Sequence, residues 1–336
     1  MTEPQTVLLV TFAVDSHLPF VTKQLDRLGQ SWELLTTDLL GEKTNIIIEA
    51  SGEKHTHVEY VVDSGKVVLP SQVGCVWNRR RIVSPMSPDT GTGDRLADQY
   101  IREQKIALLE NGLSFIHSDW INSTYAQALA KPKVQQLNRA LSYGLKIPAT
   151  LCSCRPQEVQ SFADSSPNGL ITKVITPGTP LVDSFDKQYM IFTQNFNQEK
   201  ISDEQILSAP AIYQEKITKK FEVRVVIVGE NFFACKIDSQ ASEKTQLDWR
   251  HYDFDNVPHE PIIVPQKVRN ALAEFVNSYG LVFATVDLAV TQDDEWVFFE
   301  INPNGQWAWL EELAGLPIGC AIATELSRLA NGSNKN

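Results

Sequence analysis

The stretch Val282–Asn304 reads VFATVDLAVTQDDEWVFFEINPN, and it consists of two apolar runs that meet at a polar turn. Apolar, β-branched and aromatic runs on either side of a short polar turn are typical of a β-hairpin. If Asp293 and Asp294 form a two-residue loop, residues at equal distances from that loop face each other across the two strands. Asp287 is then expected to face Glu300.

Two carboxylates that face each other in this way need a positive charge between them. Their Cβ atoms would lie about 5 Å apart, and at an effective dielectric of 20 their repulsion is roughly 3 kcal/mol. Alternation along the second strand adds the amide oxygen of Asn302 to the face of Glu300. Mg²⁺ prefers hard oxygen ligands of this kind and keeps its remaining positions for water and substrate phosphates. The hairpin therefore predicts a magnesium site and nucleotide-dependent chemistry.

The alternative is an exposed hairpin on which the acids have no specific role. The aromatic residues Trp296, Phe298 and Phe299, together with Ile301, favour a packed sheet instead. Large apolar side chains at this density are typically buried.

The composition argues against several classes of protein. With 336 residues, of which 43% are hydrophobic, the chain is long enough for two or three domains with real cores. A net charge of -11 argues against a general nucleic-acid binder, which needs a basic surface, and favours a small-molecule or peptide substrate. The cysteines are scattered, and neither a signal-peptide pattern nor a membrane-length apolar run is present. We expect a cytoplasmic protein without a nucleic-acid or membrane partner.

The order of predicted elements divides the chain into three units and a tail. An apolar strand over Val7–Phe12, followed by an amphipathic run, is typical of an open α/β domain. A helix over Lys133–Tyr143 and a strand over Leu170–Ile175 predict a central α+β domain. The strands Val223–Val228 and Phe232–Ile237 predict a hairpin in a C-terminal antiparallel-sheet domain. The predicted fold class is α/β with α+β lobes, and we expect the N-terminal unit, the central unit, the C-terminal unit and a disordered tail at 1–128, 129–212, 213–330 and 331–336.

No common phosphate-binding motif explains a nucleotide in this chain. Neither GxxxxGK[ST] nor a GxGxxG after the first strand is present, so other groups would have to hold the phosphates. Lys133 at a helix start and Lys173 within an apolar strand could each contact a phosphate as a point charge. Glu215, in the segment Tyr213–Ile217, could accept a hydrogen bond from the exocyclic amine of adenine. An ordinary solvated linker is the alternative for that segment.

In this order the motifs resemble the ATP-grasp ligases, in which two α+β lobes hold ATP between antiparallel sheets. The resemblance extends over nearly the whole chain, with residues 1–128 as the pre-ATP-grasp domain. It is most specific to the ligases that modify ribosomal precursor peptides of the microviridin or graspetide type. The Glu-x-Asn element belongs to the wider superfamily, whereas Asp-Trp-Arg and Gly-Gln-Trp indicate the narrower group. The segments that carry the resemblance are Val76–Arg80, Tyr213–Ile217, Phe221–Val225, Asp248–Arg250 and Phe299–Trp307.

The resemblance implies a role for each candidate residue. Glu222 would bind the ribose hydroxyls, and Arg224, two positions later on the same strand face, would reach the triphosphate. Arg250 would steady the transferred phosphoryl group and the acyl-phosphate; a surface guanidinium on an irregular loop is its alternative. The implied catalytic residues are Lys173, Arg224 and Arg250. The implied magnesium ligands are Asp287, Glu300 and Asn302, and the implied nucleotide-binding residues are Lys133, Lys173, Gln214, Glu215, Lys216, Ile217, Glu222 and Arg224.

Two further groups of charged residues are candidates for substrate binding. Arg79, Arg80 and Arg81 follow a predicted strand and would either guide an acidic peptide or lie on a solvated edge. Asp203 and Glu204 begin a predicted helix in the central unit and could pair with a basic residue of a leader peptide. Complementarity to the helix dipole explains acids at that position equally well.

The implied activity is ATP-dependent macrocyclisation of a ribosomal precursor peptide. Asp or Glu side chains would be activated as acyl-phosphates and closed with Thr/Ser hydroxyls as ω-esters, or with Lys amines as ω-amides, releasing ADP and phosphate. ATP and Mg²⁺ are the implied cofactors, the partner is a leader-bearing peptide with an acidic, Thr/Ser-rich core, and the family suggests a homodimer. A ligase that joins free amino acids or extends a peptide terminus is one alternative. A catalytically silent binding scaffold is another.

Overall fold

The structure is a computed structural model that describes residues 5–52, 56–83, 92–176, 181–182, 188–189 and 191–332. Within those ranges the strands form five sheets. None of the described helices is both long enough and apolar enough to cross a membrane.

The N-terminal unit is an open α/β domain, as the sequence predicted. In chain order it contains β1 (Thr6–Thr11), α1 (Leu18–Arg27), β2 (Trp32–Thr36), β3 (Asn45–Glu49), β4 (His57–Val61), β5 (Val67–Val68), β6 (Val73–Asn78), α2 (Arg95–Leu113), β7 (Asp119–Ile121) and α3 (Thr124–Leu129). A parallel sheet has the order β2-β1-β6-β7, and β3, β4 and β5 form a small antiparallel sheet. The strand β1 is apolar on both faces because both are covered: Val7 and Leu9 pack with α1, and Leu8 and Val10 pack with α2.

The central unit is built on a four-stranded antiparallel sheet. It contains α4 (Lys133–Ser142), β8 (Thr150–Ser153), α5 (Pro156–Asp164), β9 (Leu170–Lys173), β10 (Leu181–Val182), β11 (Gln188–Tyr189), β12 (Gln194–Asn195), α6 (Asp203–Ser208) and β13 (Ala211–Glu215). The sheet has the order β12-β9-β13-β8, and β10 pairs with β11. The expected boundary between 212 and 213 falls inside β13, so this sheet extends into the segment assigned to the next unit.

The C-terminal unit is a five-stranded antiparallel sheet with helices on both faces. It contains β14 (Lys219–Val228), β15 (Asn231–Ile237), β16 (His259–Pro261), α7 (Gln266–Asn277), β17 (Phe283–Thr291), β18 (Trp296–Asn302), α8 (Ala308–Ala314) and α9 (Ile318–Ala330). The order is β16-β15-β14-β17-β18. Alternation along β14 turns Val223 and Val225 towards α4 and α7, and it turns Val226 and Val228 towards α9.

The loop between β17 and β18 has three residues, so the predicted two-residue loop is wrong. The Thr291 N–H donates to the carbonyl of Glu295 at 3.0 Å, which leaves 292–294 as the loop. Asp294 has a φ of 58°, the left-handed conformation that closes a three-residue hairpin loop. This longer loop alone would shift every facing pair by one residue.

A β-bulge on β18 removes that shift, and the predicted Asp287–Glu300 pair is confirmed. Leu288 pairs with Phe298, whereas Asp287 pairs with Glu300, so Phe299 has no partner on β17. The extra residue in the loop and the extra residue in the strand compensate for each other. The two carboxylates therefore face each other for a different geometric reason than the sequence suggested.

The helix α9, late in the sequence, packs against α1, which lies near the start of the sequence. Ile322 and Leu326 of α9 share a core cluster with Leu25 of α1 and with β14. A Cβ at Gly319 would lie 2.8 Å from the backbone oxygen of Phe20, so only glycine permits this approach of α9 to α1.

The predicted tail at 331–336 is only partly described, because 333–336 lie outside the described residues. Asn331 Nδ2 donates to Gln30 Oε1 at 2.9 Å, so the first residue of this segment contacts the N-terminal unit.

Candidate active site

Asp287 forms a buried ion pair with Arg224. The two residues are paired in register on β17 and β14, and Arg224 Nη1 lies 2.8 Å from both Asp287 Oδ1 and Oδ2. Burial raises the pKa of Asp287, and the guanidinium opposes that rise. The positive charge that the facing acids require is thus supplied in part by the protein itself.

Glu300 is neutralised from the other side. Its Oε2 lies 3.3 Å from Lys133 Nζ, and its Oε1 lies 3.9 Å from Arg250 Nη1. Burial raises the pKa of Glu300, but Lys133, Arg250 and Lys173 outweigh that effect and lower the pKa to about 2. Glu300 is therefore ionised at neutral pH, as a metal ligand must be.

Lys173 is the last residue of β9, and its side chain lies close to Glu300 in the lining of the inner cavity, where its predicted contact with a phosphate stays a prediction. Its Nζ donates to Gln214 Oε1 at 2.9 Å and lies 5.1 Å from the centre of the Phe299 ring. Burial lowers the pKa of Lys173 to about 8, although Glu300 opposes this shift. Gln214 Nε2 in turn donates to Thr150 Oγ1, so the Gln214 side chain supports Lys173.

Most of the candidate nucleotide residues line one cavity, which we call the inner cavity. Glu215, Lys216 and Ile217 enclose it on one side. Glu222 lies on its wall, where Lys219 Nζ donates to Glu222 Oε1 at 2.6 Å and burial raises the pKa of Glu222. The lining residues are Ile171, Lys173, Thr193, Glu215, Lys216, Ile217, Lys219, Glu222, Gln246, Leu247, Asp248, Trp249, Arg250, Asp287, Phe299 and Glu300.

Arg250 lies in a short 3₁₀ turn, Trp249–His251, rather than on an irregular surface loop. Asp248 caps the turn by accepting from the Arg250 N–H, and its two oxygens accept from Arg250 Nε at 2.8 Å and Nη2 at 2.5 Å. Burial raises the pKa of Asp248, but the bonds to Arg250 outweigh this and hold that pKa well below its ordinary value. Asp248 also accepts from the Thr193 N–H of the central unit at 3.3 Å. The guanidinium of Arg250 is therefore oriented before any substrate binds.

A second cavity, which we call the outer cleft, opens beside the first. Its volume is about 630 Å³. Trp249, Arg250, Asp287 and Glu300 line both cavities, so the facing acids lie in the wall between them. Other residues that line the outer cleft are Arg80, Arg81, Lys131, Lys133, Arg224, Tyr252, Asn302, Asn304, Gln306 and Trp309.

The arginine run is divided between the interior and the surface. Arg79 is only 2% exposed, and its Nη1 donates to the carbonyls of Asn304 at 2.9 Å and Gly305 at 3.0 Å. Both expectations for Arg79 were wrong. Its guanidinium is buried inside the protein, so it lies neither on a surface that could guide a peptide nor on a solvated edge. Arg80 is exposed and lines the outer cleft, where a role in binding an acidic peptide stays a prediction.

Asp203 and Glu204 begin α6, as predicted, and both are exposed. Ser202 caps that helix together with Gln205 in a capping box. Neither acid lines the inner cavity or the outer cleft. Their proposed contact with a leader peptide stays a prediction.

The oxygen donors around the acid pair suit a hard divalent cation. Each carboxylate has about four lone-pair sites, and the described contacts of Asp287 and Glu300 leave some of these facing the cavities. Asn302 Oδ1 accepts from the Asn304 N–H at 2.9 Å and retains one further site. Asp287, Glu300 and Asn302 would hold Mg²⁺, with substrate phosphates completing its coordination.

Among the charged residues that line the inner cavity, sequence reasoning missed two. Lys219 neutralises Glu222, and Asp248 orients Arg250. Their spacing was a usable signal, since a lysine three positions before Glu222 and an aspartate two positions before Arg250 both lie within reach. From the sequence, Asp248 was recognised only as part of the Asp-Trp-Arg motif and had no role of its own.

Solved structures match nearly the whole chain. The macrocyclase MdnC from Microcystis aeruginosa MRC, bound with the precursor peptide MdnA, has a TM-score of 0.83 and 26% identity over 96% of this chain and 99% of that chain. A Chryseobacterium gregarium RiPP-associated ATP-grasp ligase, in complex with ADP and a leader and core peptide, has a TM-score of 0.83 and 25% identity over 96% of each chain. The ATP-grasp ligase PsnB, complexed with minimal precursor, Mg and ADP, is 20% identical and shares the fold, with a TM-score of 0.73 over 96% of this chain and 97% of that chain.

No protein-family model and no curated protein matches the sequence. The interpretation of this chain therefore depends on its fold, on the candidate ligand residues around the inner cavity and on the likeness to these solved structures. The chain is an ATP-grasp ligase, and its likeness to MdnC and to the Chryseobacterium gregarium ligase supports one of the microviridin and graspetide type.

Proposed function

We propose that the chain is a macrocyclase that uses ATP to close rings in a ribosomally made precursor peptide. MdnC and the Chryseobacterium gregarium ligase, which are similar to this chain over nearly its whole length, were solved with peptide substrates. In this chain the proposed sites are the inner cavity for the nucleotide and the outer cleft for the peptide core.

One observation carries the proposal. Asp287 and Glu300 lie in the wall shared by the inner cavity and the outer cleft, and cations surround them. A nucleotide on one side and a peptide carboxylate on the other would meet at this wall. The transferred phosphoryl group would then pass between the two cavities next to Arg250 and Lys173.

The chemistry follows from the poor reactivity of a carboxylate. An Asp or Glu side chain of the peptide attacks the γ-phosphorus of ATP, which forms an acyl-phosphate and releases ADP. Arg250, Lys173 and Lys133 lie near the wall between the two cavities. Their positive charges offset the negative charge that develops on the transferred oxygens. A Thr or Ser hydroxyl, or a Lys amine, then attacks the acyl carbon and expels phosphate. Mg²⁺, when bound, neutralises phosphate charge and orients the phosphates.

The product and the assembly are further parts of the proposal. Ester and amide products both form from the same acyl-phosphate, and we favour the ester. A cytoplasmic location is supported by the five free cysteines, which are expected of a reducing compartment. A homodimer is proposed from the family resemblance.

The test is a reaction with a short peptide that has clustered Thr/Ser and Asp/Glu residues after a leader, encoded beside this chain. We expect one ADP released and one water lost from the peptide for every ring, as seen by intact mass. Hydroxylamine treatment separates esters, which it cleaves, from amides.

Two controls separate the alternatives. ADP release with free amino acids and without the peptide would favour the ligase of free amino acids. Nucleotide binding without any peptide dehydration, across leader-bearing peptides, would favour the silent scaffold. Either result would contradict the proposed function.

A further inference from the structure

The loop of residues 303–307, between β18 and α8, is held mainly by side chains of the N-terminal unit. Asn122 Nδ2 donates to the carbonyl of Pro303 at 2.9 Å, and Arg79 Nη1 donates to the carbonyls of Asn304 and Gly305. Asn304 Nδ2 returns a bond to the carbonyl of Arg79 at 3.0 Å. A loop that is bonded at successive backbone atoms has very little freedom to move.

His17 holds the end of this loop through one specific tautomer. Its Nδ1 lies 2.7 Å from Asp15 Oδ1, and its Nε2 lies 3.1 Å from the backbone nitrogen of Trp307. The Trp307 N–H can only donate, so Nε2 must accept and the ring proton must reside on Nδ1, where Asp15 accepts it. The imidazole ring also packs edge-on against the Trp307 ring, with 4.9 Å between the ring centres.

Asp15 connects His17 to Arg79 in the interior. Its Oδ2 accepts from Thr11 Oγ1 at 2.7 Å and lies 3.6 Å from Arg79 Nε. Asp15, His17 and Arg79 are all almost fully buried, at 3%, 3% and 2% exposure. Burial of the Asp15 and Arg79 charges is costly unless they are paired, and the neutral His17 lies between Asp15 and the loop.

The other side of the same loop contacts Arg224, the partner of Asp287. The carbonyl of Gln306 accepts from Arg224 Nη2 at 2.9 Å. A Cβ at Gly305 would lie 1.8 Å from Thr285 Oγ1 and 2.8 Å from Arg224 Nη2, so the loop is pressed against Arg224 without space for a side chain. Any shift of the loop therefore moves the guanidinium that contacts both oxygens of Asp287.

We propose that Asp15, His17 and Arg79 are positioning residues, which fix the 303–307 loop so that Arg224 holds the Asp287 carboxylate in the geometry for the nucleotide and its metal. The inference deepens the proposed function and rests on it for the identity of the ligand. These residues never contact the reacting atoms. The N-terminal unit thereby serves as the scaffold of a site whose ligands come from the other two units.

The test compares His17→Leu, His17→Gln and the control Thr44→Val. Leucine removes the acceptor, whereas glutamine retains an oxygen that can accept from the Trp307 N–H. Thr44 is buried in the same unit and donates to the carbonyl of Thr36 at 2.7 Å, without contact to the loop. Affinity for AMPPNP with Mg²⁺ is measured by calorimetry and stability by urea unfolding, and ¹⁵N NMR of the imidazole reports the tautomer of His17 in the wild-type protein.

We expect His17→Leu to weaken binding of Mg·AMPPNP by about 10-fold or more, as is usual when a residue that orients metal ligands is lost. His17→Gln should restore most of the affinity, and Thr44→Val should lose stability but bind as the wild type does. Equal affinity of His17→Leu and the wild type, or an equal loss in Thr44→Val, would overturn the inference.

If His17→Leu does not fold, the inference is decided by His17→Gln and by the wild-type spectrum. A proton on Nε2 instead of Nδ1 would exclude the bond to Trp307 and overturn the inference. A wild-type protein that binds no Mg·AMPPNP contradicts the proposed function instead, and the NMR result still tests the bond on which the positioning depends.

Discussion

Arg224 on β14 contacts both carboxylate oxygens of Asp287 on the adjacent strand β17, with 2.8 Å to each oxygen. Both side chains are buried, so removal of one partner leaves an uncompensated charge in the interior. We expect Arg224→Met or Asp287→Asn to lower the free energy of unfolding by about 3–5 kcal/mol. The double variant should cost less than the sum of the two single changes, because no unpaired charge then remains.

Urea unfolding of the four proteins measures these costs. The exposed pair Arg155–Glu158 is the matched control, since Arg155→Met should cost about 1 kcal/mol or less. If Arg224→Met is as mild as Arg155→Met, the buried pair does not have the importance that its geometry indicates.

Glu300→Gln should abolish most turnover without unfolding the protein. The change removes the charge that Lys133 and Arg250 neutralise, and with it a predicted ligand of Mg²⁺. We expect ADP formation with peptide to fall by at least about 100-fold, beyond the usual effect of losing a residue that only orients a ligand. The control Glu295→Gln, at the exposed hairpin end, should behave as the wild type. Unchanged peptide dehydration in Glu300→Gln would show that the catalytic assignment is wrong.

Nucleotide affinity should decrease as the pH rises through about 8. The pKa of Lys173 is lowered to about 8 by burial, so above that pH the lysine loses the positive charge that would attract a phosphate. Bound phosphate stabilises the charged form, and the decrease in affinity should therefore begin near pH 8 and continue above it. Calorimetric titration of AMPPNP at several pH values measures the effect.

Lys173→Arg is the control for that pH profile, because arginine stays charged throughout the range. Its affinity should show little decrease near pH 8. A pH profile of nucleotide affinity that is identical in the wild type and in Lys173→Arg would assign the titration to another group.

The lowered pKa of Lys173 also affects the stability of the protein. Between about pH 8 and pH 10.5, the ordinary lysine pKa, the unfolded chain binds the lysine proton more tightly than the folded chain does, so the free energy of unfolding should rise with pH.

Arg80→Ala should weaken binding of an acidic core peptide while leaving stability unchanged. Arg80 is exposed at the outer cleft, so its contribution would be a screened attraction that decreases with salt. We expect a loss of affinity of a few-fold at low ionic strength, equivalent to about 1 kcal/mol or less. Fluorescence anisotropy of a labelled peptide measures it, with Arg102→Ala on α2 as the control. Equal effects of the two variants would favour the solvated-edge interpretation of Arg80.

Local patterns were sufficient to predict the elements around the site. Alternation and turn residues indicated both hairpins of the C-terminal sheet, and the interrupted strand at Lys173 indicated a functional lysine. The Asp287–Glu300 pairing was right only because the bulge at Phe299 compensates for the longer loop. Neither irregularity has a strong sequence signal, since no glycine marks the left-handed residue Asp294.

Long-range contacts were beyond local patterns. Arg79 bonds to residues more than two hundred positions later, and its neighbours Arg80 and Arg81 give no indication that it alone is buried. His17 resembles a residue at a helix start, and only the folded chain brings its imidazole to Trp307. The Arg224–Asp287 pair was also missed, because the register of β14 against β17 depends on strands separated by a long connection.

The packing of α9 against α1 has a consequence for how the chain is made. The earliest strands emerge from the ribosome long before the helix that covers one of their faces, because α9 ends at Ala330. An apolar surface of the nascent N-terminal unit therefore stays uncovered until α9 has been translated. A chain terminated before Ile318 would lack α9 and would therefore leave this apolar surface exposed and prone to aggregate.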